Sequence, residues 1–294
     1  MHSILHGLPR LAAGLALGCS LSFAAMAGEA ERRLDDTVRR IEQSLGARVG
    51  LMVRDTGSRR EWSHRAAERF AMNSTMKVPL CAAVLHAAEA GALDLDTPLD
   101  IAQEDMLEYA PVAARHVGGS LPVRDLCLAA LDMSDNTATN LLIDHLGGPQ
   151  EITAFLRGIG DEASRADRRE PGLNDVPPGD ERDTTTPQAM AGTLEALLLG
   201  EALGAGAREQ LLAWMTPGSV TGKLMRAAVP EGWVVADKSG SGSTTRNLVG
   251  LVMPPARAPV VFAIFLSGAE ADFATRDKAV AEISAAVAAL VDAQ

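Results

Sequence analysis

The sequence has few aromatic residues and no long block of like charge. Phe, Trp and Tyr make up 3% of its 294 residues, and Tyr109 is the only tyrosine. Ala and Leu fill the apolar positions instead, and the contents of 47% hydrophobic and 22% charged residues are ordinary for a soluble globular protein. A chain of this length can bury a large core in one or two closely packed domains.

Other absences narrow the range of functions. The net charge of −11, without a run of five like charges, disfavours nucleic acid and anionic membrane as partners. No G-x-S-x-G serine-esterase elbow is present. The histidines beyond the N-terminal segment are at least 22 residues apart and form no H-x-H or H-E-x-x-H pattern, so we expect neither metal nor cofactor. They are His64, His86, His116 and His145.

The N-terminus carries an apolar run, Leu11–Ala27, that follows Arg10 and ends in the small-x-small sequence Ala-Met-Ala. This pattern predicts a secretory signal peptide over residues 1–27 and therefore a periplasmic protein without stable membrane association after cleavage. An uncleaved anchor helix is the alternative for a run of this length. Cys19 in "ALGC" also leaves open a lipoprotein anchor.

Cleavage at this point would leave two cysteines, Cys81 and Cys127. An even pair in an exported protein favours one disulfide. The alternative is two buried free thiols, since cysteine packs well as a small apolar side chain.

The order of local patterns predicts an α+β fold. Leu34, Val38 and Ile41 recur at helical spacing and are followed by a strand-like run near residue 50. Three further short β-type runs, 232–243, 247–255 and 259–268, suggest an antiparallel meander before a last helix. We therefore expect an antiparallel sheet built from both chain ends (28–68 and 216–294) with a helical domain, 69–215, inserted between them.

Within the helical part, residues 161–187 are charged, rich in Pro and Gly, and almost devoid of apolar side chains. An unstructured stretch of this length inside a compact domain is usually a functional loop or a linker.

"STMK", residues 74–77, places a serine and a lysine three residues apart at a predicted helix start. Both side chains would share one helix face, where Lys77 could serve as a base for a Ser74 nucleophile. Read alone, Ser74 is more simply a helix cap. Two later motifs change this reading, because Ser134-Asp135-Asn136 and Lys238-Ser239-Gly240 follow in the order S-x-x-K, S-D-N, K-[ST]-G.

With these motifs the chain resembles the class A serine β-lactamases over nearly all of its length after the signal segment. Ser74 precedes Ser134 by 60 residues, Glu170 by 96 and Lys238 by 164. "RREPGLN", residues 168–174, resembles the family's omega loop, here residues 165–183. The resemblance implies a three-layer α/β/α fold and hydrolysis of β-lactam antibiotics through a serine acyl-enzyme, which gives resistance.

The resemblance also implies roles for individual residues. Ser74 is the nucleophile, and Lys77 or Glu170 is the acylation base. Ser134 passes a proton to the lactam nitrogen, and Glu170 with Asn174 activates the deacylating water. The backbone N–H groups of Ser74 and Ser241 form the oxyanion hole. Substrate contacts fall to Asn136, Lys238, Ser239, Gly240, Ser241, Tyr109 and Arg246.

Structural roles follow from the same resemblance. Arg168 and Asp183 pair to close the loop, and the Glu170–Pro171 bond is cis. Cys81 and Cys127 occupy positions that form a disulfide in some members. The expected partners are small-molecule β-lactam substrates and β-lactamase inhibitors, and the expected state is a monomer.

The chain departs from the family pattern beside the nucleophile and in the last motif. Asn73 replaces the more usual apolar or sulfur-containing residue, and since neither Asn73 nor Gly242 is cysteine, the disulfide that some relatives form there is excluded. Arg246 follows Lys238 by eight residues, one fewer than in many members. A D-alanyl-D-alanine carboxypeptidase or other penicillin-binding protein, or a non-catalytic penicillin-sensing domain, is the competing interpretation; neither would need Glu170.

Overall fold

A computed structural model describes the backbone of residues 13–294 and the side chains of residues 26–294. The helices are α1 Ala13–Leu45, α2 Lys77–Glu89, α3 Val123–Asp132, α4 Asn136–Leu146, α5 Pro149–Gly158, α6 Pro187–Leu198, α7 Ala205–Met215, α8 Met225–Ala228 and α9 Phe273–Asp292. The strands are β1 Arg48–Asp55, β2 Glu61–His64, β3 Phe70–Ala71, β4 Pro98–Asp100, β5 Ser120–Pro122, β6 Thr184–Thr185, β7 Val234–Ser241, β8 Arg246–Met253 and β9 Val260–Ser267.

Five strands form one antiparallel sheet in the order β2-β1-β9-β8-β7. Strands β1 and β2 come from the N-terminal part and the other three from the C-terminal part, with most of the helices between them in sequence. The α+β prediction of a sheet built from both chain ends around a helical insertion is therefore confirmed. The order also places β7, which carries the Lys238-Ser239-Gly240 motif, at one edge.

Alternate residues of the central strand β9 face two separate cores. Val261, Ala263 and Phe265 pack with the helical insertion, whereas Phe262 and Ile264 pack toward α1 and α9. A strand buried on both faces has no polar alternation, which explains why this run reads as continuously apolar. The sheet is therefore the middle layer of a three-layer α/β/α arrangement.

Two small ribbons, β3 with β6 and β4 with β5, were not predicted from the sequence. Each strand has two or three residues, too few to show the alternation that identifies a strand. The β3–β6 ribbon matters for the site because it joins the chain just before Ser74 to the end of the charged loop. That loop contains one 3₁₀ turn, Gly172–Asn174, and the Glu170–Pro171 peptide bond is cis, as predicted.

Residues 1–12, and the side chains up to residue 25, lie outside the described part of the chain. The predicted signal peptide, 1–27, and the lipidation alternative at Cys19 therefore remain predictions. Among the helices that are described, none combines the length and apolar character needed to cross a bilayer.

The two cysteines of the helical part are not joined by the expected disulfide in this structure. Cys81 and Cys127 are fully buried free thiols in this structure, with Cys81 Sγ 3.8 Å from the Cys127 carbonyl oxygen. Burial, reinforced by the adjacent Cys81 thiol, raises the pKa of Cys127 well above its usual value. The two side chains are neighbours, but no bond joins them in this structure, so the disulfide stays a prediction.

Candidate active site

Ser74 lies in a 3₁₀ turn, Asn73–Met76, immediately before α2. The α-helix therefore begins at Lys77, three residues later than the predicted start at Ser74. Met76 is the N-cap residue, and no side chain caps this helix end. The capping interpretation of Ser74 is thus wrong, and its half-buried hydroxyl borders a cavity instead.

Lys77, the first residue of α2, is fully buried. Its Nζ donates to Asn136 Oδ1 at 2.7 Å and to the Ser134 carbonyl oxygen at 2.9 Å, and lies 3.3 Å from Ser134 Oγ. Burial lowers the pKa of Lys77, opposed mainly by the Glu170 carboxylate, whose Oε1 is 3.3 Å away. The amine is therefore closer to its neutral, proton-accepting form than an exposed lysine is.

A second buried lysine contacts the same hydroxyl. Lys238 Nζ donates to Ser134 Oγ at 3.0 Å and to the Ser239 carbonyl oxygen at 2.7 Å. Burial, together with the positive charges of Lys77 and Arg246, lowers the pKa of Lys238 well below its usual value. Two amines thus share Ser134 Oγ, which connects the S-x-x-K and K-S-G motifs through the S-D-N serine.

The S-D-N aspartate has a structural role that sequence reasoning missed. Asp135 is fully buried and caps α4 by accepting from Ala138 N at 2.8 Å. Its other oxygen accepts from Val112 N and Ala113 N at 2.8 and 2.9 Å. These bonds hold Ser134 in a left-handed conformation, φ +57°, between the two lysines.

The charged loop places Glu170 beside Lys77. Asn140 of α4 fixes the Glu170 backbone by accepting from its N–H at 2.9 Å and donating to its carbonyl oxygen at 2.8 Å. The buried carboxylate then accepts from Asn174 Nδ2 at 2.6 Å through Oε2. Its Oε1, 3.3 Å from Lys77 Nζ, is buried and accepts no well-formed hydrogen bond from the described residues. Asn140 was not among the predicted residues.

The predicted loop clamp is present. Arg168 Nε donates to Asp183 Oδ2 at 2.6 Å. The other Asp183 oxygen accepts from the backbone N–H groups of Asp167 and Arg168 at 2.8 and 3.0 Å. Asp183 is buried at the end of the loop, directly before β6, and residues 167 and 168 lie near its start. These three bonds therefore join the two ends of the loop.

Edge strand β7 passes so close to Ser74, the predicted nucleophile, that only glycine fits at position 240. A Cβ there would lie 2.8 Å from the Met72 carbonyl oxygen and 3.2 Å from the Ser74 backbone nitrogen. This approach explains the glycine of the K-S-G motif. The following residue of β7, Ser241, lines the same cavity as Ser74.

Arg246 begins β8, opposite Ser241 in the register, and borders the same cavity. Its guanidinium makes two bonds to Asp277 Oδ1, at 2.7 and 2.9 Å, and lies 5.0 Å from the centre of the Phe273 ring. The spacing from Lys238 to Arg246 is one residue shorter than in many family members, but an arginine still borders the cavity. Its partner Asp277 gave no recognisable signal in the sequence.

The cavity beside Ser74 has a volume of about 350 Å³. Tyr109 stands at its rim with 48% of its surface exposed. The lining residues are Ser74, Tyr109, Ser134, Asn136, Asn174, Val220, Ser239, Gly240, Ser241, Arg246 and Phe273. All of the predicted catalytic and substrate-contacting side chains thus line this cavity or, like Lys77, Glu170 and Lys238, contact a residue that does.

Comparison with known proteins is consistent with this arrangement. Residues 32–291 match the model of the "Beta-lactamase enzyme family". A β-lactamase of Rhodobacter capsulatus is 51% identical over 284 residues, with 97% of each chain covered. The crystal structure of a β-lactamase from Xanthomonas campestris superimposes with a TM-score of 0.86 at 45% identity, covering 89% of this chain and 98% of that one. An ancestral class A β-lactamase gives a TM-score of 0.84 at 45% identity, covering 89% of this chain and all of the other.

The chain therefore belongs to the β-lactamase enzyme family. The predictions of a class A relationship, of a serine β-lactamase and of a small-molecule substrate agree with these relatives.

A substitution at Asp183 tests how much the Arg168–Asp183 pair contributes to keeping the loop closed. Asp183→Asn keeps the shape of the side chain but removes the charge that three donors share, and a buried donor left unsatisfied costs about 1–3 kcal/mol. We expect trypsin to cleave the variant within residues 165–182 at least about tenfold faster than the parent, because loop opening is more frequent. Asp180→Asn, which breaks an exposed pair with Arg182 in the same loop, is the control. Equal cleavage of the Asp183 variant and the parent would contradict the clamp.

Proposed function

We propose that this protein hydrolyses the β-lactam ring of penicillin- and cephalosporin-type antibiotics through an acyl-enzyme on Ser74, and so confers resistance. One observation carries the proposal: Lys77 Nζ lies 3.3 Å from both Ser134 Oγ and Glu170 Oε1, beside the Ser74 cavity. This cluster joins the groups needed for acylation to the carboxylate needed for deacylation.

In acylation, Ser74 Oγ attacks the lactam carbonyl carbon and forms an ester as the C–N bond breaks. The developing oxyanion is bound by the backbone N–H groups of Ser74 and Ser241. The Ser74 proton passes to Lys77 or Glu170, and Ser134 delivers a proton to the leaving nitrogen. Ser134 suits this role because its hydroxyl contacts two amines that can replace the proton it gives up.

In deacylation, Glu170 takes a proton from water as the water oxygen attacks the ester carbonyl carbon. The ester C–O bond then breaks, and the proton is returned from Glu170 to Ser74 Oγ, which restores both groups. Asn174 supports this step by donating to Glu170 Oε2, which leaves Oε1 for the water. The fixed Glu170 backbone keeps the carboxylate at this place.

The remaining cavity residues bind substrate. Lys238, Ser239 and Arg246 supply positive charge and a hydroxyl for the substrate carboxylate, although Asp277 neutralises part of the Arg246 charge. Asn136 contacts the substrate side-chain amide while its Oδ1 holds Lys77. Gly240 and Ser241 form the strand edge along which the substrate lies, and Tyr109 covers the rim.

The buried Glu170 argues against the competing functions. A penicillin-binding peptidase or a sensing domain is acylated and stays blocked, so it has no need of a carboxylate held beside the nucleophile. A buried carboxylate that served no purpose would only carry a desolvation cost.

A chromogenic cephalosporin tests the activity directly. We expect the purified protein to turn the compound over many times. Glu170→Gln should form a one-to-one acyl adduct, visible by mass, and lose turnover by at least about 100-fold, since it lacks the base. Glu162→Gln, an exposed residue of the same charged stretch, is the matched control. A single stoichiometric adduct on the parent protein would favour the peptidase instead.

The pH dependence of acylation tests the role of Lys77. The Glu170 carboxylate raises the pKa of Lys77 against the effect of burial, so in Glu170→Gln the pKa of Lys77 should fall further below its usual value. We expect the acylation rate of Glu170→Gln, followed by stopped flow, to rise with pH and level off at a lower pH than in the parent. Lys77→Arg should lose this rise. Abolished acylation in Glu170→Gln would assign the base to Glu170.

The organisation of the chain completes the proposal. Residues 1–27 act as a cleaved signal peptide, and the mature protein is a periplasmic monomer without a lipid anchor. It consists of an α/β part, 28–68 and 216–294, and a helical part, 69–215, that includes the omega loop 165–183. The catalytic cavity lies between these parts, with Ser134 from one and Lys238 from the other.

Export would also allow Cys81 and Cys127 to form their disulfide, because the thiols are already adjacent. We expect protein purified from the periplasm to take up no alkylating group when it is denatured without reductant, and two after reduction. Cys127→Ser, which leaves Cys81 alone, should take up one group in either case. Two groups without reductant would show free thiols.

A further inference from the structure

Asn73, the departure from the family pattern beside the nucleophile, sits in a chain of buried amides. It is fully buried and has a φ of +49°. Its Oδ1 accepts from Thr245 Oγ1 at 2.8 Å and from Asn247 Nδ2 at 3.1 Å. Its Nδ2 donates to Asn174 Oδ1 at 3.0 Å. Both ends of the carboxamide therefore have partners.

These partners fix the orientation of each amide in turn. Asn247 Nδ2 also donates to the carbonyl oxygens of Ala71 and Met72, at 2.9 and 3.2 Å, so this end must be nitrogen. Asn73 must then face it with oxygen and turn its own nitrogen toward Asn174. Asn174 in turn presents Oδ1 to Asn73 and Nδ2 to Glu170.

We propose that Asn73 is a positioning residue for deacylation, which it supports by fixing the Asn174 carboxamide as a donor to Glu170 Oε2. The inference rests on the proposed hydrolysis. Asn73 is not among the residues that line the catalytic cavity, whereas Asn174 is, so the effect passes through Asn174. A merely structural role in the Ser74 turn would impair acylation instead, because Asn73 directly precedes the nucleophile.

Two variants separate these roles. Asn73→Gly removes the amide and tolerates the positive φ. Asn73→Asp keeps the shape and the acceptor for Thr245 and Asn247 but places an oxygen against Asn174 Oδ1. With the chromogenic cephalosporin, we expect kcat to fall about tenfold, within the range for residues of one hydrogen-bond network. KM should fall with it, kcat/KM should stay near the parent value, and an acyl adduct should accumulate by mass.

A double-mutant cycle completes the test. In the Asn174→Ala background, Asn73→Gly should have little further effect on kcat, since both changes remove the same contact. Unchanged kcat in both Asn73 variants, a fall in kcat/KM that matches the fall in kcat, or full additivity with Asn174→Ala would each overturn the proposal. Acylation of the variants reports that the site is folded. Turnover by the parent is measured first, so that failure of this inference is distinguished from failure of the proposed function.

Discussion

The catalytic site depends on the burial of two amines within hydrogen-bond reach of one hydroxyl, Ser134 Oγ. Removing a cation from water costs several kcal/mol unless other groups replace its hydration. Lys77 is compensated by three oxygens of the S-D-N segment and by Glu170, whereas among the described residues Lys238 has only neutral oxygen partners within hydrogen-bond distance. As a consequence of burial, the pKa of both lysines is lowered, so each amine gives up its proton more readily than an exposed lysine does.

The surrounding structure serves mainly to keep this cluster together. Asp135 holds the Ser134 turn, Asn140 holds the Glu170 backbone, and the Arg168–Asp183 pair closes the loop that carries Glu170. Each of these contacts joins segments that are far apart in sequence. The edge strand β7 also packs closely against the turn that carries Ser74, and this approach requires the glycine at position 240.

Prediction from the sequence succeeded where the signal was local. The apolar runs of β8 and β9, the periodicity of α1 and the turn residues of the charged loop all produce their patterns within a few residues. It failed where a feature depended on distant contacts. The ribbons β3–β6 and β4–β5 are too short to show a pattern. A 3₁₀ turn occupies residues 73–76, against which β7 packs, and the α-helix begins only at Lys77. Asn140 and Asp277 are polar residues on helices, without any local sign of a role.

The order and spacing of the Ser74, Ser134 and Lys238 motifs were enough to identify a serine acyl-transfer enzyme from the sequence, and Glu170 added a predicted hydrolytic base. How these groups contact one another became visible only in the folded protein. Distances, burial and pKa values arise when α2, α4, the loop and β7 converge, and none of them is encoded in one segment. Asn73 shows the difference most clearly. In the sequence it is only a departure from the family pattern, whereas in the structure its hydrogen bonds place it between β8 and Asn174.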